Sequence, residues 1–382
     1  MKKLSKTLIA LTVATLAASA ANASIVYEND GTKVSVYGSL RVKFAKLENS
    51  RNDLLDDGSK FWINVSQDFE DGYSAFGALQ LRPSTKYDDS FSDGVSTHRL
   101  YAGMKKEGLG EISFGNQTTI ADKFKTVGFT EGFGGITRAG QKNPGGETYR
   151  TYGRTQHGLN TSGKKTIHIQ SEPWNGFTFG ADYILDKNAE RIEYNKKEKK
   201  EGKNFDNTQY QAGVLYYKRI DDLKMKTNVV YGHNKALEFL TTDSVGVGFG
   251  FTYKDYEFGI DYIYDKNNYV KDHKEDNTDK EYKKGDKTSQ KSLQVGLKYQ
   301  ITYPWDIYTS YRQTTYADDV KNKGFAVGTH YQFNKKIRVY LEYATNKAEN
   351  VYQEKDSKTK KLVDAYPRER QNGYYAGFRV DF

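Results

Sequence analysis

In this chain of 382 residues, proton-transfer chemistry would fall first to the six histidines: His98, His157, His168, His233, His273 and His330. A hydrolase needs such a ring beside a nucleophile or an activated water, with a carboxylate orienting it. None of the six stands in a recognisable catalytic or metal-ligand motif. His168 and His330 fall on the polar side of alternating segments, where the plain reading is a wetted side chain. There is no cysteine, so neither thiol chemistry nor a disulfide framework is available. What remains is the chemistry of fixed charge. In 118–163, a stretch without clear periodicity, the acids Asp122, Glu131 and Glu147 stand against Lys123, Lys125, Arg138, Lys142, Arg150 and Arg154, a net +3. An irregular stretch of that length is unusual and often functional.

The segments around it alternate apolar and polar residues. Val34, Val36, Leu40, Val42 and Phe44 share one face of the first, and Ser35, Tyr37, Ser39, Arg41 and Lys43 the other. Sixteen such segments are read, near 33–46, 60–69, 73–82, 98–106, 110–117, 164–171, 175–185, 207–217, 224–233, 244–254, 256–266, 290–300, 305–315, 323–333, 336–346 and 372–382. Most are as long as a tilted strand needs to cross a bilayer. The connections run long, short, long, short. Glu70-Asp71-Gly72, Glu107-Gly108-Leu109 and Asn334-Lys335 are short, whereas 47–59, 83–97, 118–163, 186–206, 267–289 and 347–371 are long. The five prolines, Pro83, Pro144, Pro173, Pro304 and Pro367, fall outside the expected strands.

This pattern predicts an all-β fold, a 16-stranded antiparallel transmembrane β-barrel with short turns on one side and long extracellular loops on the other. No segment approaches 18 uninterrupted apolar residues, which leaves a closed barrel as the spanning structure. A mean hydropathy of −0.82 is compatible with that, because only alternate strand residues face lipid. The 31 tyrosines and 20 phenylalanines suit aromatic girdles at the two interfaces. A soluble sandwich would alternate too, but it would not explain the loop rhythm. At the N-terminus, Lys2, Lys3 and Lys6, the apolar run Leu8–Ala18 and Ala21-Asn22-Ala23 read as a signal peptide over 1–23. The barrel domain is then 24–382, and the formal charge falls from +9 to +6. Export argues against nucleic acid as the partner of this basic chain.

Five stretches resemble one family in that family's order. Val36-Tyr37-Gly38-Ser39-Leu40-Arg41 is similar to the opening strand of the general diffusion porins of Gram-negative outer membranes. Arg99–Lys105 with Gly110–Gln117, Glu131-Gly132-Phe133-Gly134-Gly135, Asn175–Ala181 and Tyr375–Phe382 resemble later elements of the same family, in the manner of Pasteurellaceae major porins. The resemblance implies a passive channel for small hydrophilic solutes and ions in the cell outer membrane, without enzymatic activity or cofactor. It implies a homotrimer in contact with outer-membrane lipid and lipopolysaccharide, and a terminal Phe382 read by the barrel-assembly machinery. The third loop, 118–163, is expected to fold into the lumen as the constriction, and 83–97 to reach a neighbouring subunit.

The resemblance places Lys60, Arg99, Lys164 and Arg41 on the constriction wall, and Asp122, Glu131, Glu147 and Arg138 on the constriction loop. Two departures matter. Ser39 stands where the family often has lysine, and Ile136 where an aspartate usually follows the paired glycines. With the basic excess of 118–163, they imply weak cation selectivity or a mild anion preference. Three rivals fit less well. A barrel enzyme lacks its motif. A sugar-specific channel would need an aromatic track, which the scattered Trp62, Trp174 and Trp305 do not make. An adhesin would carry a further domain.

Overall fold

The computed structural model describes residues 24–48, 52–84, 94–123, 125–133, 159–185, 209–237, 239–274, 281–316, 319–350, 353–355, 362–364 and 370–382. Sixteen strands close one antiparallel barrel. They are β1 Thr32–Leu47, β2 Lys60–Asp68, β3 Tyr73–Ser84, β4 Gly94–Lys106, β5 Gly110–Thr118, β6 Ser162–Ser171, β7 Phe177–Ile184 and β8 Gln209–Ile220. They continue as β9 Leu223–Leu237, β10 Leu240–Tyr253, β11 Tyr256–Tyr269, β12 Lys287–Thr302, β13 Trp305–Thr315, β14 Lys321–Asn334, β15 Ile337–Glu349 and β16 Gln371–Asp381. Each strand pairs with its neighbours in sequence, and β16 returns to β1 through Ser39–Leu47. Gly38 and Phe382 exchange both backbone N–H···O bonds at 3.0 Å, which seals the seam with the last residue of the chain.

The alternation follows from having lipid on one side of the wall and water on the other. Leu40 and Leu341 point outward and are 60% and 61% exposed, whereas Gln294 and Asp261 on the inner face are fully buried. The wall is thus apolar outside and polar inside, the reverse of a soluble core. Among the described residues the strand order closes on itself, so the backbone polar groups of the wall are satisfied strand to strand. The tight turns use residues that tolerate a left-handed backbone. Asn175 (φ 49°) and Gly176 (φ 89°) make an Asn-Gly hairpin, and a Cβ on Gly176 would come within 2.5 Å of the Tyr217 carbonyl.

Three details depart from the sequence reading. Pro83 lies inside β3, opposite Val95. Past Leu81 the other edge of β3 has no partner in β2, so the missing N–H breaks no ladder. The long–short rhythm is also broken twice on the long-loop side, by 238–239 and 316–320. There the strands themselves run on, as in the 15-residue β9, and absorb the connection. Finally, Ser24–Asn29 and Asp53–Asp56 form short additional strands on opposite edges of β1, pairing with Thr32–Val36 and Val42–Ala45.

Candidate functional site: a constriction inside the barrel

The chain leaves β5 at Thr118 and turns inward. A single 3-10 turn, Ile120–Asp122, puts Ile120 and Ala121 in a buried cluster with Leu159, Val230 and Ile263. Glycines on the wall make room for this close approach. A Cβ on Gly180 would stand 2.6 Å from Ile120, one on Gly259 2.9 Å from Thr126, and one on Gly296 2.5 Å from Phe129. Side chains at these positions would push the segment into the channel.

Three wall carboxylates then hold the backbone of the segment. Asp182 of β7 accepts the Ile120 N–H at 2.8 Å, with His168 at 2.6 Å on its other oxygen. Asp261 of β11 accepts the Thr126 N–H at 2.8 Å, the Val127 N–H at 2.9 Å and the Thr126 hydroxyl at 2.8 Å. Glu342 of β15 accepts the Glu131 N–H at 2.7 Å, the Phe133 N–H at 2.6 Å and the Tyr308 hydroxyl at 2.8 Å. These strands stand four apart, so the segment follows half of the barrel circumference. A carboxylate in the middle of a strand would be costly beneath a covering segment without such donors.

At Phe133, where the described part of the segment ends and which is called its tip below, Arg312 donates to the carbonyl at 3.1 Å and lies over the ring at 4.2 Å. The Glu131 side chain turns to the wall, taking a hydrogen bond from Arg338 Nη2 at 2.6 Å. His330 Nε2 lies 3.2 Å from the same oxygen, and its Nδ1 lies 2.8 Å from Asp306. Burial alone would raise the Glu131 carboxyl, but the His330 hydrogen bond and the Arg338 guanidinium outweigh it and hold the group below the ordinary glutamate range. A carboxyl depressed in this way contributes fully above its free value and loses that contribution as pH falls through the depressed one. The Glu131 latch is therefore expected to hold at neutral pH and to weaken only as pH falls below the ordinary glutamate range. Open-channel noise during acid titration in a planar bilayer checks this. Noise that sets in between about pH 8 and 6 would assign control to another group.

The first long connection also bends inward. Asp57 takes an ion pair from Lys43 of β1 at 2.6 Å and a hydrogen bond from the Tyr340 hydroxyl of β15 at 2.9 Å, so it reaches across β16. Leu55 packs on the cluster of Ala45, Phe133, Tyr340 and Tyr375. The tip of the constriction segment is thus held from two sides, by Glu342 and by the first connection.

Beside the described end of the segment runs a basic row. Arg338 of β15, Arg379 of β16 and Arg41 of β1 are direct cross-strand partners in a single row. Like charges placed this way repel. Acceptors offset part of the repulsion: Glu131 on Arg338, Asp381 on Arg379 at 2.8 Å, and the Ser39 hydroxyl on Arg41 at 2.9 Å. Lys60 stands on the next row, opposite Ser39.

Of the residues expected on the wall, Arg41 and Lys60 meet here. Arg99 sits on β4 with Nη1 3.3 Å from Asn116. Lys164 belongs to β6, but its side chain lies outside the described residues, as do Arg138 and Glu147. On the segment, Asp122 lies 3.4 Å from Lys125, and Glu131 is held by the wall rather than presented to solvent. His168 and His330, read as wetted side chains, are buried against carboxylates because the segment covers them. Sequence reasoning did not select Asp182, Asp261, Glu342, Asp57, Arg338 or Arg379. All but Asp57 were visible as charges at mid-strand or on inward positions, which was the available signal.

The comparisons with known proteins agree with this geometry. A family profile of Gram-negative porins matches residues 10–351. A major outer membrane protein of Pasteurella multocida is 29% identical over 378 residues, spanning 92% of this chain and 97% of that protein. Another from the same species is 30% identical over 336 residues, spanning 80% and 82%. Among solved structures, the anion-selective porin of Comamonas acidovorans superposes with a TM-score of 0.66 at 16% identity, covering 92% of this chain and 100% of that one. OmpF of Salmonella typhi, solved in complex with daunomycin, gives 0.61 at 16% identity over 94% and 100%. A trimer form of OmpT from Vibrio cholerae gives 0.65 at 15% over 92% and 100%. With a closed barrel, a segment folded into its lumen and a family match along most of its length, the chain belongs to the Gram-negative porins, through which small hydrophilic solutes cross the outer membrane by passive diffusion.

Proposed function

We propose that this porin is a diffusion channel with a mild preference for anions, and that its constriction lies between the inward stretch 118–133 and the wall of β15, β16, β1 and β2. The observation behind this is the row Arg338, Arg379 and Arg41, with Lys60 beside it. The acids nearest that row, Glu131 and Asp381, are already held by guanidiniums. Lys60, Arg41 and Arg99 serve as wall bases in this reading, as does Lys164 by its position on β6. Glu131 serves as an anchor of the segment rather than as the acidic side of a transverse field. Solutes move down their own gradient through water, with no bond made or broken and no cofactor.

A fixed charge within several ångströms of an ion path in water changes ion occupancy by a factor of two or so, so an anion-to-cation permeability ratio of about 2–5 is expected. The reversal potential of purified protein in a planar bilayer under a potassium chloride gradient measures it. A ratio well below one would overturn the reading.

Cleavage after Ala23, a homotrimer, recognition of Phe382 during assembly and contact with lipopolysaccharide belong to the same reading. The intact mass of the purified assembly, three times that of a chain starting at Ser24, checks the first two together.

A further inference from the structure

The inner wall from β1 to β4 carries aromatic rings that a water path does not need. Tyr37 of β1 stands directly opposite Trp62 of β2, and their rings stack with centroids 5.8 Å apart and planes 12° apart. Phe76 of β3 and Tyr101 of β4 meet edge to face at 6.4 Å. Register puts the two pairs on one face, since Ala78 of β3 lies opposite both Asn64 and Tyr101. These positions alternate with the outward Leu40, Val65 and Leu100, so the rings face the lumen. A Cβ on Gly103 would come within 2.8 Å of the Phe76 ring, which lies close along the wall.

The wall carboxylates that hold the constriction segment stand on β7, β11 and β15. The wall from β1 to β4 is left to line the water path, and Trp62, Phe76 and Tyr101 are partly exposed there. The far side of the barrel is built differently. One inner row across β9 to β12 reads Asn228, Gly248, Asp261 and Gln294. An apolar ring facing water costs free energy that such polar residues do not. The aromatic shelf is a local feature with a local use.

Bases border the shelf. Lys60 is two residues along β2 from Trp62, about 7 Å at the rise of a strand. Arg99 lies in the row of Trp62 with Gln80 between them, about 10 Å away at the usual strand spacing. Arg82 is two residues along β3 from Gln80 and donates to its carboxamide oxygen at 3.2 Å. Among the described residues, the Trp62 indole N–H is turned away from water and has no acceptor.

We infer that this shelf is a binding subsite for small aromatic carboxylates in transit, the ring on Trp62 and Tyr101 and the carboxylate on Lys60 and Arg99. A planar ring gains on aromatic faces what a saturated solute of equal size does not. A guanidinium fork and an ammonium at the border are partners for a carboxylate. The gap between rings and bases fits a solute with a short linker between its two parts. The subsite rests on the channel reading above, through its open water path, and not on the net ion preference.

Current block by 3-phenylpropionate, titrated on the purified full-chain porin in a planar bilayer, tests the subsite. The native channel is expected to bind this probe about five-fold more tightly than 3-cyclohexylpropionate, which has the same charge and a saturated ring. Neutral 3-phenylpropanamide is expected to bind about five-fold more weakly than the acid. Trp62→Leu and Tyr101→Leu are each expected to lose the preference for the aromatic ring, whereas Phe325→Leu on the outward face of β14 is expected to keep it. Only a folded, inserted barrel conducts, so a poorly folding variant cannot mimic that loss. Equal block by the phenyl and cyclohexyl acids in the native channel would overturn the aromatic subsite. Full preference in both inner variants would overturn its location, and equal block by the amide would overturn the part given to the bases. The reversal potential of the native protein in potassium chloride reports ion preference separately. A cation-preferring channel that still discriminates the two rings would support the subsite and overturn the charge reading alone.

Discussion

Replacing Glu342 by alanine is expected to free the tip of the constriction segment and raise both the single-channel conductance and the open-channel noise. The carboxylate accepts two backbone N–H groups of the tip and the Tyr308 hydroxyl, all within 2.8 Å. Hydrogen bonds to a charged acceptor are worth roughly 1.5–3 kcal/mol each, so loss of the two from the tip removes about 3–6 kcal/mol of attachment. That corresponds to at least a hundred-fold rise in the population of the displaced tip, at 1.4 kcal/mol per factor of ten. The Arg312 bond to the Phe133 carbonyl, the contacts of Glu131 with Arg338 and His330 and the packing of Phe133 remain, but they leave the tip's backbone amides without an acceptor on the wall.

The barrel itself should survive the change. Glu342 sits mid-strand on β15, and its backbone ladder to β14 and β16 does not involve the side chain. Asp261→Ala is expected to act separately on Thr126 and Val127, and the two changes should add, since they share no partner. Planar-bilayer recordings read both effects. A Glu342→Ala channel with native conductance and native noise would show that the segment is held by something other than its wall carboxylates.

The double substitution Arg41→Glu and Lys60→Glu is expected to turn the channel from anion preference to cation preference. Both bases stand on neighbouring rows of the wall facing the segment. Reversing two charges changes the local charge by four units. At several ångströms in water each unit is worth about 0.5 kcal/mol to a passing ion, so the permeability ratio should change by ten-fold or more. Raising the salt should shrink the change, because the screening length falls to about 3 Å at 1 M.

The fold should tolerate the swap, since Arg41→Glu replaces repulsion between Arg41 and Arg379 with attraction. Arg99→Glu is expected to do less, because Arg99 lies away from the arginine row, with Asn116 as its neighbour. Reversal potentials of the three proteins under one gradient rank these effects. A native ratio in the double variant would place the selectivity step elsewhere along the lumen.

Sequence alone determined the barrel. Lipid outside and water inside force a two-residue period on every strand, and that period is written along the chain from Val34 and Val36 to Phe378 and Val380. It gave the number of strands and most of their bounds, because each strand must satisfy the rule by itself. Strand ends were less legible where no lipid boundary imposes a stop, as in β9 and β10, which run on into a two-residue connection. Pro83 likewise reads as a strand boundary, yet it lies within β3, past the end of the pairing with β2 at Leu81.

The constriction was legible only in part. The irregular length of 118–163 marked it as inserted structure, and Arg41, Lys60 and Glu131 were marked by type and place. Which charges meet was decided by tertiary structure. Asp182, Asp261 and Glu342 lie 62, 134 and 211 residues from the amides they hold, and Glu131 lies 207 from Arg338. Periodicity reports which side of a wall a residue faces. It does not report which residue stands across the lumen, because that depends on closing the barrel and folding the segment into it.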